Sequence, residues 1–253
     1  MPKKPKNPSW YCCRQVAGPL VKESRALRPR LSKDDGPWEQ REKRKILHPS
    51  VTPVCRTRTD RLELRLALFG YEGQMYTCTF APEYNPQSLK ETRKYWRSFL
   101  RRLKLLKNNK PFDYIYCIEG RHGDHRFHIH LVIRESDFTP QQIAEAWRFG
   151  QIDVKPVLLD KGGYRRLAEY FNKEANDGVR VPVGARTWVA SKSLNQKLPK
   201  PEYFRSTSGR IYIPANVHGT VWKPMPVQND FGIYCYASYI IKPNARHKFK
   251  QGI

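Results

Sequence analysis

Two histidines stand one residue apart in the segment Phe127–Arg134, FHIHLVIR. Their alternation with Ile129, Leu131 and Ile133 predicts a β-strand in which His128, His130 and Val132 share one face. The preceding segment, DYIYCIEG, also reads as a strand, and the polar stretch Gly120–Arg126 between them predicts a hairpin. If Glu119 lies opposite His128, then Cys117 faces His130 and Ile115 faces Val132. Directly opposed residues of an antiparallel pair share a face, so Glu119 joins both histidines. A register slip of two keeps that grouping; only an odd slip destroys it. Two imidazoles and a carboxylate on one face suit a divalent cation with open positions. Mg²⁺ or Mn²⁺ held there would polarise a phosphoryl oxygen. An HxH strand by itself equally describes core histidines, and Glu119 by itself a surface residue at a hairpin end. His122 and His125 would complete a four-histidine zinc site only if the loop folded back.

A second chemically capable pair follows in GYRRLAEYFNKEAN, a helix expected after the Lys161–Gly163 turn. Tyr164, Leu167, Phe171 and Ala175 form its apolar stripe. Tyr170 and Lys173, spaced i and i+3, share a neighbouring face with Arg166. A tyrosine beside a core stripe also has an ordinary packing explanation. A phenol, with an unperturbed pKa of about 10, is a poor nucleophile at neutral pH. A cation beside it favours phenolate, and the same cation stabilises charge on an attacked phosphate.

The elements that must position these groups read as follows. MYTCTFAP is a strand ended by Pro82, preceded by a short helix in RLELRLALFGYEG that Gly70 closes. A long helix begins after Pro86–Ser88, with Tyr95, Phe99, Leu103 and Leu106 as its apolar stripe. Arginines crowd its other faces, and Arg93, Arg97 and Arg101, with Arg166, are candidate contacts to a nucleic-acid backbone. Solvation of a charged helix face is the plainer account of the same residues. Thr139–Pro140 starts a further helix that Gly150 stops, and QIDVKPVLL reads as a strand. The order strand, helix, strand, strand, helix, strand, helix predicts an α+β fold. Its expected form is an antiparallel sheet with flanking helices, on the ferredoxin-like, split βαβ theme.

Composition limits the partners. The 253 residues carry 47 Lys and Arg against 23 Asp and Glu, a formal net charge of +24. That excess points to a polyanion, nucleic acid ahead of a membrane surface. Aromatic residues make up 12% of the chain and fit stacking on unpaired bases. Six cysteines form no CxxC pair, which argues against a zinc ribbon and a secreted disulfide scaffold. With no long apolar run and no apolar leader, the expectation is a cytoplasmic protein without a membrane partner. Three regions are expected: a flexible basic arm over 1–60, a core over 61–180, and a β-rich extension over 181–253. In the last, Trp188–Leu194, Arg210–Pro214 and Phe231–Ile241 read as short strands.

Together the HIH strand, the IEG before it, the YFNK helix and the upstream YTCTF strand resemble the HUH-superfamily nucleases. Their motifs are a hydrophobic-flanked His-x-His and a Tyr-x-x-Lys. The match looks closest to rolling-circle replication initiators of small phages and plasmids, and spans Tyr76–Lys173, more weakly to Glu202. The first motif departs from the more usual Leu/Thr-rich form. The resemblance implies His128, His130 and Glu119 as ligands of Mg²⁺ or Mn²⁺. It implies Tyr170 as the nucleophile on single-stranded DNA at a replication origin, giving a 5′-phosphotyrosine, with Lys173 positioning Tyr170 or the phosphate. A bacterial host cell is the expected setting. The chain lacks the GxxxxGK[ST] phosphate loop, so unwinding is expected from a host helicase. A single-tyrosine transposase or relaxase would use identical chemistry, and a non-catalytic basic nucleic-acid-binding protein would share the composition.

Overall fold

The computed structural model describes residues 10–27, 53–120, 126–157, 163–172, 186, 188–222, 227–229 and 232–243. The chain divides into two compact units, Arg58–Leu198 and Met1–Thr57 with Pro199–Ile253.

The Arg58–Leu198 unit is built on a five-stranded antiparallel sheet. Its strands are β3 (Gly73–Thr79), β4 (Ile115–Glu119), β5 (His128–Arg134), β6 (Ile152–Pro156) and β7 (Trp188–Ala190), in the order β6-β3-β5-β4-β7. The helices are α1 (Pro53–Ala67), α2 (Leu89–Leu106), α3 (Pro140–Trp147), α4 (Gly163–Phe171) and α5 (Lys192–Gln196). The α+β architecture with a split βαβ core is therefore present, with helix α2 connecting β3 to β4 and β5 running antiparallel between those two strands.

Alternation along the strands sorts the sheet into two faces. Tyr76 and Cys78 of β3, Ile118 of β4 and Ile129, Leu131 and Ile133 of β5 pack with Trp96, Phe99 and Leu103 of α2 and Ile143 and Trp147 of α3. This core sits on one side of the sheet. Ser88 caps α2 by accepting from the Glu91 amide, and Thr139 with Gln142 forms a capping box on α3. Of the stripe expected on α2, Phe99 and Leu103 are buried and Tyr95 packs partly buried on the core, while Thr92 and Trp96 are buried in addition and Leu106 is not. Trp96 takes the inward position because its ring stacks on Tyr116 of β4, centroids 4.1 Å apart, while Leu106 is exposed.

Helices α1 and α4 belong to the opposite face. Arg165 of α4 ties them together, bonding Asp60 at 2.5 Å and approaching the buried Glu63 at 3.5 Å. Tyr164 is fully buried and donates its hydroxyl to the Gly70 carbonyl at 2.9 Å. Helix α1 is longer than the short helix expected there, and no described helix is long and apolar enough to cross a membrane.

In the other unit, residues 10–27 are a hairpin where a flexible arm was expected. Strands β1 (Trp10–Ala17) and β2 (Leu20–Leu27) pair with β8 (Glu202–Ser206) and β11 (Gly232–Ile241) in the order β10-β11-β2-β1-β8. Strand β10 is Val227–Asn229, and β9 (Val217–Trp222) pairs with β11. The strand pattern was hidden because its inward positions are charged. Glu23 sits between Arg14 and Arg25 at 3.0 and 2.8 Å, all three buried. The β-rich extension differs from expectation in three places, the first being that the strand expected over Trp188–Leu194 ends at Ala190 and gives way to helix α5. Residues 188–198 lie in the five-stranded unit, and Arg210–Pro214 is not a strand.

Candidate metal centre and nucleophile

The hairpin register places the site. Strands β4 and β5 pair Glu119 with His128, Cys117 with His130 and Ile115 with Val132. On the other side of β5, Thr77 of β3 lies opposite His130. Glu119, His128, His130 and Thr77 therefore project from the face that carries α4, away from the aromatic core.

Both imidazoles converge on one carboxylate oxygen. His128 Nε2 lies 2.8 Å and His130 Nε2 2.6 Å from Glu119 Oε2. Glu119 and His130 are buried, while His128 is partly open to solvent. The outer ring nitrogens are also engaged. His130 Nδ1 is 3.2 Å from Thr77 Oγ1, and His128 Nδ1 is 3.3 Å from the Arg126 carbonyl. A carbonyl only accepts, so Nδ1 of His128 carries the proton in that contact, and Nε2 is the ring nitrogen that faces Glu119.

Two acceptors 2.8 Å apart attract only when a cation lies between them, a proton or a metal ion. Burial, reinforced by neighbouring His128, pushes the His130 imidazole down to about 3, so that ring is neutral at physiological pH and free to donate a lone pair. The ligand atoms of Glu119, His128 and His130 all lie within 4.8 Å of one another. Two imidazoles and one carboxylate, with Thr77 and Arg126 orienting the rings from outside, fit a divalent cation in both donor type and support.

Helix α4 brings Tyr170 to the same point. Its hydroxyl donates to Glu119 Oε2 at 2.9 Å and lies 3.4 Å from His130 Nε2. Next in sequence, Phe171 is buried and stacks on the His130 ring, centroids 5.7 Å apart. Tyr170 as a whole stays 38% exposed. Burial, with Cys117 close by, raises the Tyr170 phenol above its ordinary value. The protein alone thus disfavours phenolate, and a cation at the cluster would act in the opposite direction.

The sequence candidates separate into three groups. Glu119, His128, His130 and Tyr170 meet at one oxygen. Arg166, exposed and one turn before Tyr170, lies on the same helix as the phenol. Arg93, Arg97 and Arg101 are exposed on α2, which covers the opposite side of the sheet, so they stand apart from the cluster. Lys173 lies outside the described residues, as do His122, His125 and Ala175. Two contributors were not singled out from the sequence, Thr77 and Phe171. Thr77 could have been found from the alternation of MYTCTFAP, which turns Thr77 and Thr79 away from the core while Tyr76 and Cys78 enter it.

Residues 73–175 match the family model described as replication-associated protein ORF2/G2P. No curated protein and no solved structure matches the chain. The matched segment contains the whole β4–β5 hairpin, the Glu119/His128/His130 cluster and Tyr170. Over residues 73–175 the sequence motifs and the family match agree on similarity to replication-associated proteins of the HUH type, and the cluster within that segment has the donor set for a divalent metal ion.

Proposed function

We propose that this protein nicks and rejoins single-stranded DNA at a replication origin through a Tyr170 5′-phosphotyrosine, and so starts rolling-circle replication of a phage or plasmid in the cytoplasm of a bacterial host. The observation that carries the reading is the 2.9 Å contact between the Tyr170 hydroxyl and Glu119 Oε2, inside the cluster of two imidazoles and one carboxylate.

Tyr170 Oη attacks the scissile phosphorus. The Oη–P bond forms, the bond from phosphorus to the 3′ oxygen breaks, the phenol gives up its proton and the leaving 3′ oxygen takes one up. One phosphodiester replaces another, so the step needs no nucleotide hydrolysis, and attack by a 3′-hydroxyl on the phosphotyrosine rejoins the strand. Mg²⁺ or Mn²⁺ held by Glu119, His128 and His130 would supply a Lewis acid for the phosphoryl oxygen. Thr77 fixes the His130 ring, Phe171 packs against it, and Tyr170 stays held at the cluster by its own hydrogen bond. Arg166 contacts the DNA backbone beside the phenol, and Lys173 positions Tyr170 or the phosphate. Arg93, Arg97 and Arg101 offer a separate basic surface on α2 for DNA lying beyond the site. Duplex unwinding falls to a host helicase.

The test is incubation of the purified chain with end-labelled single-stranded origin DNA and Mn²⁺, resolved on a denaturing gel. A covalent protein–DNA band that requires both the metal and His128 is the expected result. DNA cut to free ends with no attached protein would overturn the phosphotyrosine route. A replicon assay with and without the neighbouring origin separates an initiator from a transposase.

A further inference from the structure

The six-stranded sheet of the other unit has two unlike faces. One packs Val21, Ala237, Tyr239 and Ile241 into a core with Ile211. On the reverse face the described buried residues lie toward the hairpin end, at Ala17, Leu20, Ile240 and Ser238. Farther along the strands it opens to solvent and becomes aromatic.

Strand register sets out that open region in two rows. In the first, Tyr203 of β8 neighbours Cys13 of β1, Cys13 neighbours Ser24 of β2, and Ser24 neighbours Tyr236 of β11. In the second, Arg205 neighbours Tyr11, Tyr11 neighbours Ala26, and Ala26 neighbours Tyr234. Tyrosines therefore flank a floor of small residues. With strands about 4.8 Å apart, Tyr203 and Tyr236 stand about 14 Å apart across it, and Tyr11 and Tyr234 about 10 Å. Tyr203 is 75% exposed, Tyr11 46% and Tyr236 38%. The Arg205 guanidinium lies over the Tyr11 ring, 3.4 Å from its centroid, and Lys22 projects from the next row. Among the described residues of this face on β1, β2, β8 and β11 there is no carboxylate.

The exposed apolar groups described on this face are phenol rings, and its described charges are positive. That combination suits a ligand with flat faces and a negative backbone. Each base can stack on a tyrosine whatever its sequence, and Arg205 and Lys22 can meet the phosphates. A duplex hides its base faces and could use only the two cations. We propose that this sheet face is a second binding platform for single-stranded DNA, carried by a different unit of the chain from the Tyr170 centre. It would hold the strand by stacking on Tyr203, Tyr11 and Tyr236, without reading its sequence.

The test uses the full chain with EDTA present, so that binding is read without cleavage, and a fluorescein-labelled oligothymidylate of about 15 nucleotides followed by anisotropy. The intact protein should bind it more tightly than a duplex of equal length. Tyr203→Ala and Tyr236→Ala should each weaken binding by between about fivefold and a hundredfold, and Tyr203→Trp should retain it. Arg205→Ala should lower the salt dependence by about one phosphate contact. Tyr203 is exposed enough that an unchanged thermal melt is expected for its variants.

Wild-type affinity in the Tyr203→Ala, Tyr236→Ala double variant would overturn the proposal, as would tighter binding of the duplex or of oligouridylate. The proposal does not need the nuclease reading to hold. If Mn²⁺-dependent cleavage is absent while Tyr203→Ala still loses oligonucleotide, the nuclease reading fails and the platform stands. If cleavage is normal and the double variant binds fully, the platform alone fails.

Discussion

The Tyr170 hydroxyl stands 2.9 Å from Glu119 Oε2, the same oxygen on which His128 and His130 converge. A helix and a hairpin thus deliver the proposed nucleophile and the candidate metal ligands to one point. Burial raises this phenol, and a cation held at the carboxylate would favour its deprotonation.

Removing the hydroxyl should separate chemistry from metal binding. Tyr170→Phe is expected to abolish the covalent adduct, lowering the cleavage rate by about a thousandfold or more, because the reacting atom is gone. Mn²⁺ affinity by calorimetry should stay within a few-fold of wild type. A large loss of metal affinity in this variant would assign the phenol to the ligand set.

Thr77→Val is nearly isosteric and removes only the oxygen at His130 Nδ1. Released from that contact, the ring can rotate or change tautomer. Metal affinity should fall by about 10- to 100-fold with little change in melting temperature. Equal affinity in the two proteins would show that packing against Phe171 alone orients the ring.

Gly120 follows Glu119 with a φ of +93°, and a Cβ there would meet the Arg126 carbonyl. Gly120→Ala should cost about 1–3 kcal/mol in a chemical melt and displace Glu119. Cleavage should drop further than stability does. A variant as stable and active as wild type would show that the loop absorbs the side chain.

Arg165 joins α4 to α1 through Asp60 and the buried Glu63. Arg165→Met leaves that carboxylate without its guanidinium and should destabilise by about 3 kcal/mol. Because α4 carries Tyr170, the remaining folded protein should bind metal normally but form adduct slowly. Unimpaired adduct formation would mean that the Tyr170–Glu119 contact holds the helix unaided.

The cluster was legible in the sequence because strand alternation and antiparallel pairing are strict. Once His128 and Glu119 bracket a short hairpin, every even register groups them. Helix phase is less constrained. Tyr95 and Trp96 are adjacent aromatics, and the inward one was decided by Tyr116, whose position depends on the sheet. For the same reason the helix arginines could not be assigned a side, and Arg93, Arg97 and Arg101 fall on the layer opposite the site. The β1–β2 hairpin escaped notice because Arg14, Glu23 and Arg25 occupy inward positions, so burial there depends on ion pairing invisible in a hydropathy pattern.

The most direct measurement is peptide mapping of the protein–DNA adduct formed with Mn²⁺ on single-stranded origin DNA. After nuclease and protease digestion, mass spectrometry should find the residual nucleotide on the peptide containing Tyr170, linked through a 5′ phosphate. A nucleotide on any other residue, or an adduct undiminished in Tyr170→Phe, would contradict the assignment of Tyr170 as the nucleophile.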